Sequence, residues 1–355
     1  MKKNFFTKNL REINFMKITR HNLQKLIRVK SSLFHSFINK KILCLFVLIA
    51  FILNNSTEIF SQQFRKTATA GFVFLEIPVN ARVSGLGESG IALSDLNSDG
   101  IFVNPAISGF TNQIHNVSFS YSPYFAEIKQ YAASYSYNTQ FGVFSLGALM
   151  FDYGSMPKTQ KVAGQRVYEI IGNFNAKSLA FALSYSRMLT DKFSFGISLK
   201  YVNEKIDIYN ADNFVLDGGV LYYTGLKSLR IGATIQNFGT DAKFINDPFK
   251  MPAVLKLGAA AEIFGDFNTD YRVTTILEAI HPNDGDEKLN SGIEFSWKNI
   301  FSIRGGYKFF YDEETYSFGI GINGEPLVPV SFDFSISNYG RLGNILRLTL
   351  QAGIL

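Results

Sequence analysis

Apolar and polar residues alternate one for one along most of this chain after residue 115. Phe193, Phe195, Ile197, Leu199 and Tyr201 alternate with Ser194, Gly196, Ser198 and Lys200. Phe301, Ile303, Tyr307 and Phe309 fall in one phase, Ser302, Arg304, Gly306 and Lys308 in the other. Tyr316, Phe318, Ile320 and Ile322 alternate with Ser317, Gly319 and Gly321. Val328, Val330, Phe332, Phe334 and Ile336 alternate with Ser331, Asp333 and Ser335. A period of two puts one set on each face of a sheet. The pattern predicts fourteen strands, at 115–122, 128–138, 140–151, 177–189, 192–206, 213–224, 227–238, 253–264, 270–281, 289–297, 299–311, 314–323, 328–337 and 345–354.

A soluble two-sheet sandwich alternates in the same way, so the pattern needs a discriminator. Segment length supplies one: a tilted strand needs about 9–11 residues to cross a bilayer, and these segments run near that, at 8–15 residues. The polar phase is rich in Ser, Gly, Lys and Arg, as a barrel lumen requires. An even strand count and a rough alternation of short and long connections also fit a membrane barrel. The long connections are expected at 152–176 and 239–252. The fold class expected is an all-β transmembrane antiparallel barrel of about fourteen strands.

Composition supports this reading: 35 Phe, 17 Tyr and 29 Gly stand in 355 residues, and charged residues make up 18%. That share lies below the roughly 25% of soluble domains. The basic balance misleads. Residues 1–61 carry a net charge of +9 against +6 for the whole chain, leaving −3 on residues 62–355. Cationic charge confined to a leader argues against nucleic acid as a partner. Within the leader, Lys40 and Lys41 precede an apolar run from Ile42 to Leu53. That run is too short to span about 30 Å of hydrocarbon. It reads as a secretory signal peptide cut near Ser61. Residues 1–39 are long for the region before such a run, and Met16 is an alternative start. Cys44 lies inside the run, so the processed chain has no disulfide, no thiol nucleophile and no Cys-based metal site.

Three regions follow: a leader and signal peptide at 1–61, an N-terminal plug at 62–114, and a transmembrane β-barrel at 115–355. The plug region has no strand ladder. It holds Gly71, Gly85, Gly87, Gly90, Gly100 and Gly109 between short apolar pieces. A barrel of fourteen strands has a wide lumen, which such a segment can fill.

Catalytic chemistry is not expected. The processed chain keeps His115 and His281, both expected at barrel rims. Ser118 lies three residues from His115, hence on the other face. The run from Asp95 to Gly100 has the D-x-N-x-D-G form of a calcium loop, but Ala106 stands where a bidentate Glu is needed. A solvated Asx turn is expected there, as is a solvated extracellular turn at Asn283 to Glu287. GLGESG at 85–90 lacks the strand–helix context of a phosphate loop. No cofactor, metal or catalytic residue is assigned.

Several stretches, in order, resemble the PorV/PorQ family of outer-membrane proteins, itself similar in fold to FadL-like barrels. They are TAGFVFLEIPVNARVSGLGESGIALSD (67–95), VNPAISG (103–109) with its Asn-Pro-Ala, FDYGSMPKT (151–159), LSYSRMLTDKFSFGISLKYVNEKI (183–206), LRIGATIQNFG (229–239), AIHPNDGDEKLNSGIEFSW (279–297), IRGGY (303–307) and FDFSISNYGRLGN (332–344). The resemblance covers nearly all of 67–355. It implies a fourteen-stranded barrel with its N-terminal segment in the lumen, and a link to type IX protein secretion or surface attachment of cargo. The last strand departs from many outer-membrane barrels. It lacks a terminal lipid-facing aromatic residue, and Leu355 is out of phase.

The expected protein is therefore a non-enzymatic outer-membrane barrel of the PorV/PorQ type. The alternative is a FadL-like channel for hydrophobic small molecules, which requires an apolar pocket beside the plug near Asn104 and a lateral opening. Expected partners are outer-membrane lipid and secreted cargo or secretion-system components, through loops 152–176 and 239–252, or a hydrophobic ligand. Arg82, Gly85, Gly87, Asn104 and Pro105 are the plug residues singled out. Their expected role is structural: Asn-Pro fixes a turn, and an Arg in a lumen pairs with wall carboxylates.

Overall fold

The computed structural model describes residues 69–164, 167–324 and 328–354. The leader and signal segment read at 1–61 lie outside the described residues.

Sixteen strands follow one another along the described chain. They are β1 (His115–Pro123), β2 (Lys129–Thr139), β3 (Gly142–Lys161), β4 (Tyr168–Thr190), β5 (Phe193–Ile206), β6 (Tyr209–Tyr223), β7 (Arg230–Gly239), β8 (Ala242–Lys243), β9 (Pro248–Phe249), β10 (Val254–Phe264), β11 (Tyr271–Pro282), β12 (Lys288–Trp297), β13 (Phe301–Phe309), β14 (Tyr316–Asn323), β15 (Val330–Asn338) and β16 (Asn344–Ile354). Fourteen of them close a barrel, each antiparallel to its sequence neighbour, with β7 pairing β10. The ring closes where β1 meets β16, from His115 opposite Ile354 to Tyr121 opposite Leu348. Strands β8 and β9 form a separate hairpin. Both chain ends of the barrel lie at the end where the short β2–β3 and β4–β5 turns sit, as expected for the periplasmic side.

The alternation predicted from sequence sorts the two faces. Outward positions are large and apolar: Phe119, Phe181 and Ile197 are each 56% exposed. A soluble protein does not leave an apolar band of this extent in water; in a bilayer it meets hydrocarbon. Inward positions carry Ser, Gly and charged side chains, and Ser118, Ser134, Ser145, Ser184 and Ser198 are all buried. Closure satisfies every edge, which a lipid-embedded sheet requires.

Three connections differ from expectation. Residues 152–161 and 168–176, expected as loop, continue β3 and β4 past the barrel end. A register shift between Asp152 and Ser155, with Gly154 at φ 73, changes the phase there. The chain beyond mixes apolar and polar residues on both faces, so alternation no longer marks it as strand. Residues 239–252, expected as an exposed loop, are exposed along most of their length but send Ala242 and Met251 inward, and the Phe249 ring lies tilted 5.6 Å from that of Phe72. The β5–β6 connection, expected over 207–212 from the predicted strand ends, has only Asp207 and Ile208 between its strands. Short periplasmic and long extracellular connections therefore do not alternate cleanly.

Candidate functional site

The plug enters beside the loop before β10, where the Gly71 amide donates to the Lys250 carbonyl at 3.0 Å. Phe72 and Phe74 then lead an apolar cluster with Val79, Phe151, Val202, Val215 and Met251. Two short helices follow, α1 (Ala81–Gly85) and α2 (Gly100–Val103). Isolated helices of this length do not form, so packing against the wall holds them. A side chain also caps α1. The Asn80 Oδ1 accepts from the Arg82 and Val83 amides at 2.8 and 3.2 Å. Asn104 caps the 3-10 segment Pro105–Phe110, accepting from the Ala106 amide at 3.1 Å.

Four of the five singled-out residues lie against wall glycines. Gly85 approaches Gly319 closely enough that a Cβ on Gly85 would sit 3.0 Å from the Gly319 Cα. Gly87, at φ +69, abuts Gly306. A Cβ on Gly219 would overlap the Asn104 side chain, and one on Gly196 would overlap the Pro105–Ala106 peptide. The Asn104 Nδ2 donates to the Ile91 carbonyl at 2.9 Å and to the Val220 carbonyl at 3.1 Å. Gly232 and Gly292 meet the Ile91 and Leu86 carbonyls in the same way, while Gly147 and Gly258 make room for the Phe102 and Ile91 side chains. A girdle of lumen-facing glycines thus lets plug backbone lie directly on wall backbone. The wall half of this arrangement was missed from sequence. Its signal was present, since Gly196, Gly306 and Gly319 stand in the polar phase of the alternation.

Arg82 anchors the plug electrostatically. Its Nε and Nη2 donate to the two Glu294 oxygens at 2.9 and 3.0 Å, and Nη2 lies 3.0 Å from Asp95. Glu294 also receives Arg304 at 2.5 Å and faces Arg272 at 3.6 Å, while Arg304 reaches Asp333 at 2.5 Å. Three guanidinium groups thus face three carboxylates, a balanced network that keeps buried charges paired. Further wall groups hold plug backbone. Glu278 accepts from the Gly90 and Ile91 amides at 2.8 and 3.2 Å, and Arg230, paired with Glu262 through two 2.9 Å bonds, donates to the Ala92 carbonyl.

Asp95 to Gly100 is not the solvated turn expected from sequence. Ser98 and Asp99 are buried, and Asp99 accepts from Asn80, Ser118, Ser134 and Gln351. Folding the loop into a ring of Ser and Asn donors gives its carboxylate partners that water would otherwise supply. Ser118 is thus committed to Asp99. His115 stacks on Tyr137 at the start of β1 (4.9 Å between centroids), and His281 lies 3.2 Å from Glu287 near the far end of β11. Among the described residues, no cluster of three or more His, Cys, Asp or Glu is placed to hold a metal ion.

Two cavities flank the plug and share no lining residue. The periplasmic one, about 430 Å³, is lined by Arg82, Asp95, Arg272, Glu294, Arg304 and Asp333 among other polar groups. The extracellular one, about 340 Å³, combines Glu76, Glu88, Lys256, Lys288 and Glu314 with Val73, Ile77 and Ile280. The Lys308 Nζ lies behind it, 2.6 Å from Glu88 and in contact with Glu314. Burial, reinforced by Asp284, pushes the Glu76 carboxyl up to about 7 against the opposing pull of Lys288 and Lys256. Asn104 is fully buried and lines neither cavity.

The sequence of residues 60–283 matches the profile of the family described as type IX secretion system protein PorV. The chain belongs to the PorV family. It is an outer-membrane barrel associated with type IX protein secretion. No curated protein matches the sequence at a significant level. The fold is similar to that of solved hydrocarbon channels. The CymD monoaromatic hydrocarbon channel shares 12% identity at a TM-score of 0.56, over 78% of this chain and 97% of that one. The toluene transporter TbuX of Ralstonia pickettii gives 13% and 0.54, over 78% and 98%. The toluene transporter TodX of Pseudomonas putida gives 13% and 0.52, over 76% and 95%. At these identities the likeness is one of fold.

Proposed function

We propose that this PorV-family barrel, exported behind its N-terminal leader, serves type IX secretion without catalysis, engaging secreted cargo or secretion components at its extracellular rim. The observation that carries this reading is the β3–β4 hairpin. It extends past the barrel end and exposes Tyr168, Ile170 and Ile171 at 70%, 65% and 51%. The neighbouring β5–β6 turn presents Ile208 at 75%. Lys158 and Asp207, 2.5 Å apart, tie hairpin to turn. Apolar side chains clustered on a rim outside the bilayer favour a protein partner. Arg82, Gly85, Gly87, Asn104 and Pro105 serve structurally in this reading, keeping the lumen filled so that contact at the rim matters and not passage through the barrel.

The test is export in cells carrying a Tyr168→Ser/Ile170→Ser/Ile171→Ser variant. Cargo is expected to accumulate in the periplasm as it does on deletion of the protein, with normal amounts of folded barrel in the outer membrane. Unchanged export would contradict the reading. A second reading, a channel for hydrophobic small molecules, draws on the hydrocarbon channels of similar fold and on the extracellular cavity, where Val73, Ile77, Val254 and Ile280 stand beside Lys256 and Lys288. Uptake of a labelled hydrophobic acid that depends on this protein would favour it.

A further inference from the structure

The lipid-facing surface is not uniformly bulky. Along one rung of the sheet, Phe119 on β1 pairs with Ala133 on β2, Ala133 with Ala148 on β3, and Ala148 with Phe181 on β4. Two adjacent alanines between two phenylalanines leave a notch two strands wide, about 10 Å at the usual strand spacing. Tyr121, Tyr131, Met150, Leu179, Leu348 and Leu350 extend it into an apolar groove of about 570 Å³. That volume lies within the range of ligand sites, roughly 300–1,000 Å³.

The same strands carry a second feature four residues further toward the extracellular end. There Lys129 pairs with Asp152, Asp152 with Lys177, and Lys177 with Lys205, all in the outward phase. The three lysines are exposed. Asp152 lies 3.9 Å from Lys177, Glu127 stands in the loop before β2, and Asp207, two residues beyond Lys205, is paired with Lys158; with three lysines against one acid, the rung itself is net positive. Four residues of strand cover about 13 Å, the order of separation between the upper acyl region of a leaflet and its headgroups. Above this rung β3 continues with Ser155, Pro157 and Thr159, so the lysines mark the outer edge of the apolar band.

We propose that this face binds one phosphorylated, acylated lipid of the outer leaflet, with an acyl chain in the Ala133–Ala148 notch and its phosphate on Lys129, Lys177 and Lys205. The notch lies within the hydrocarbon band, where an acyl chain is the available apolar occupant. The lysines lie where lipid phosphates lie. Each half supplies what the other lacks: the notch selects a chain but not a headgroup, and the lysines select an anion but not a lipid. Lysine near an anionic lipid surface contributes a favourable term of its own, and the notch adds the burial of methylene groups.

The experiment uses the purified barrel in phosphatidylcholine nanodiscs, with bis-phosphorylated lipid A as the added probe and bound lipid counted by native mass spectrometry. The native protein is expected to retain one probe molecule. Lys129→Gln/Lys177→Gln/Lys205→Gln weakens retention roughly a hundred-fold, at about five-fold per lysine. Ala133→Phe and Ala148→Phe, which fill the notch, each weaken it about ten-fold or more, and the dephosphorylated lipid behaves on the native protein as the probe does on the lysine variant. Ala259→Phe, a lipid-facing alanine on β10, controls for the burden of an added ring and leaves binding intact. All variants keep the heat-dependent gel shift of a folded barrel. Equal retention by the native and notch-filled proteins overturns the proposal. So does full displacement of the probe by inorganic phosphate, which would mark a simple anion site. So does an Ala133→Phe variant that sheds a co-purifying membrane protein but keeps its lipid.

Discussion

Arg82 in the plug and Glu294 on β12 grip one another through two hydrogen bonds of 2.9 and 3.0 Å, across 212 residues of sequence. Glu294 is 1% exposed in its side chain and Arg82 12%, so this pair ties plug to wall where water offers little compensation. Arg82→Ala leaves Glu294 to Arg304 and Arg272 alone. The cost is about 3 kcal/mol, the low end for breaking a buried pair. Hydrogen exchange of the amides in 80–110 is expected to quicken by two orders of magnitude, with barrel strands unaffected. Arg82→Lys, which cannot make both bonds, falls between.

The glycine girdle gives a paired comparison one residue apart. Gly306 faces the lumen, where a Cβ would overlap Gly87 and the Leu86 carbonyl carbon; Gly305 faces outward, with its nearest neighbour, Ile293, 4.0 Å from a built Cβ. Gly306→Ala is expected to loosen the plug by about 1–3 kcal/mol, the usual cost of overpacking. Gly305→Ala is expected to be neutral within about 0.5 kcal/mol. The same exchange measurement reads both, and equal effects would contradict the girdle.

Asn104 makes three hydrogen bonds from full burial, one to its own cap and two to carbonyls of the plug and of β6. Asn104→Ala strands those groups and costs about 2 kcal/mol. Exchange is expected to rise at Ile91 and over 104–110, while Pro105→Ala, which removes no hydrogen bond, has a smaller effect.

How much of this was legible in the sequence depends on the range of the contact concerned. Strand β5 was predicted at 192–206 and lies at 193–206; β10 was predicted at 253–264 and lies at 254–264. Alternation is local, and lipid on one side and plug on the other enforce it at every step. The extended β3–β4 hairpin was not legible, because beyond Gly154 no bilayer imposes a lipid-facing phase. The plug's path was not legible either. That Gly85 meets Gly319, and Asn104 meets Gly219, depends on contacts more than a hundred residues apart with no periodic trace. The burial of Asp99 leaves no local trace, because its donors Ser118, Ser134 and Gln351 lie on three separate strands.

Glu76 makes the extracellular cavity sensitive to pH. Its carboxyl is held near 7, above the ordinary 4.5, by burial and by Asp284, with Lys288 and Lys256 opposing. A raised acid stabilises the folded plug fully below its ordinary value and loses that contribution as pH rises through about 7. The segment 69–79 is therefore expected to loosen between pH 5 and 8. Residues 62–355 contain no cysteine, so a spin label at Val73→Cys in a chain spanning them reports the change cleanly. Glu76→Gln is expected to abolish the pH dependence; a label equally mobile at pH 5 and 8 in the native sequence would argue against it.

The sheet closes in the bilayer around a lumen that the plug fills. Single-channel conductance across a planar bilayer reads this out, comparing the barrel with its plug and one lacking 69–110. No steady current is expected from the plugged protein and a large, stable pore from the shortened one, with Arg82→Ala flickering between the two. A steady open current from the full protein, unchanged on removing the plug, would contradict it.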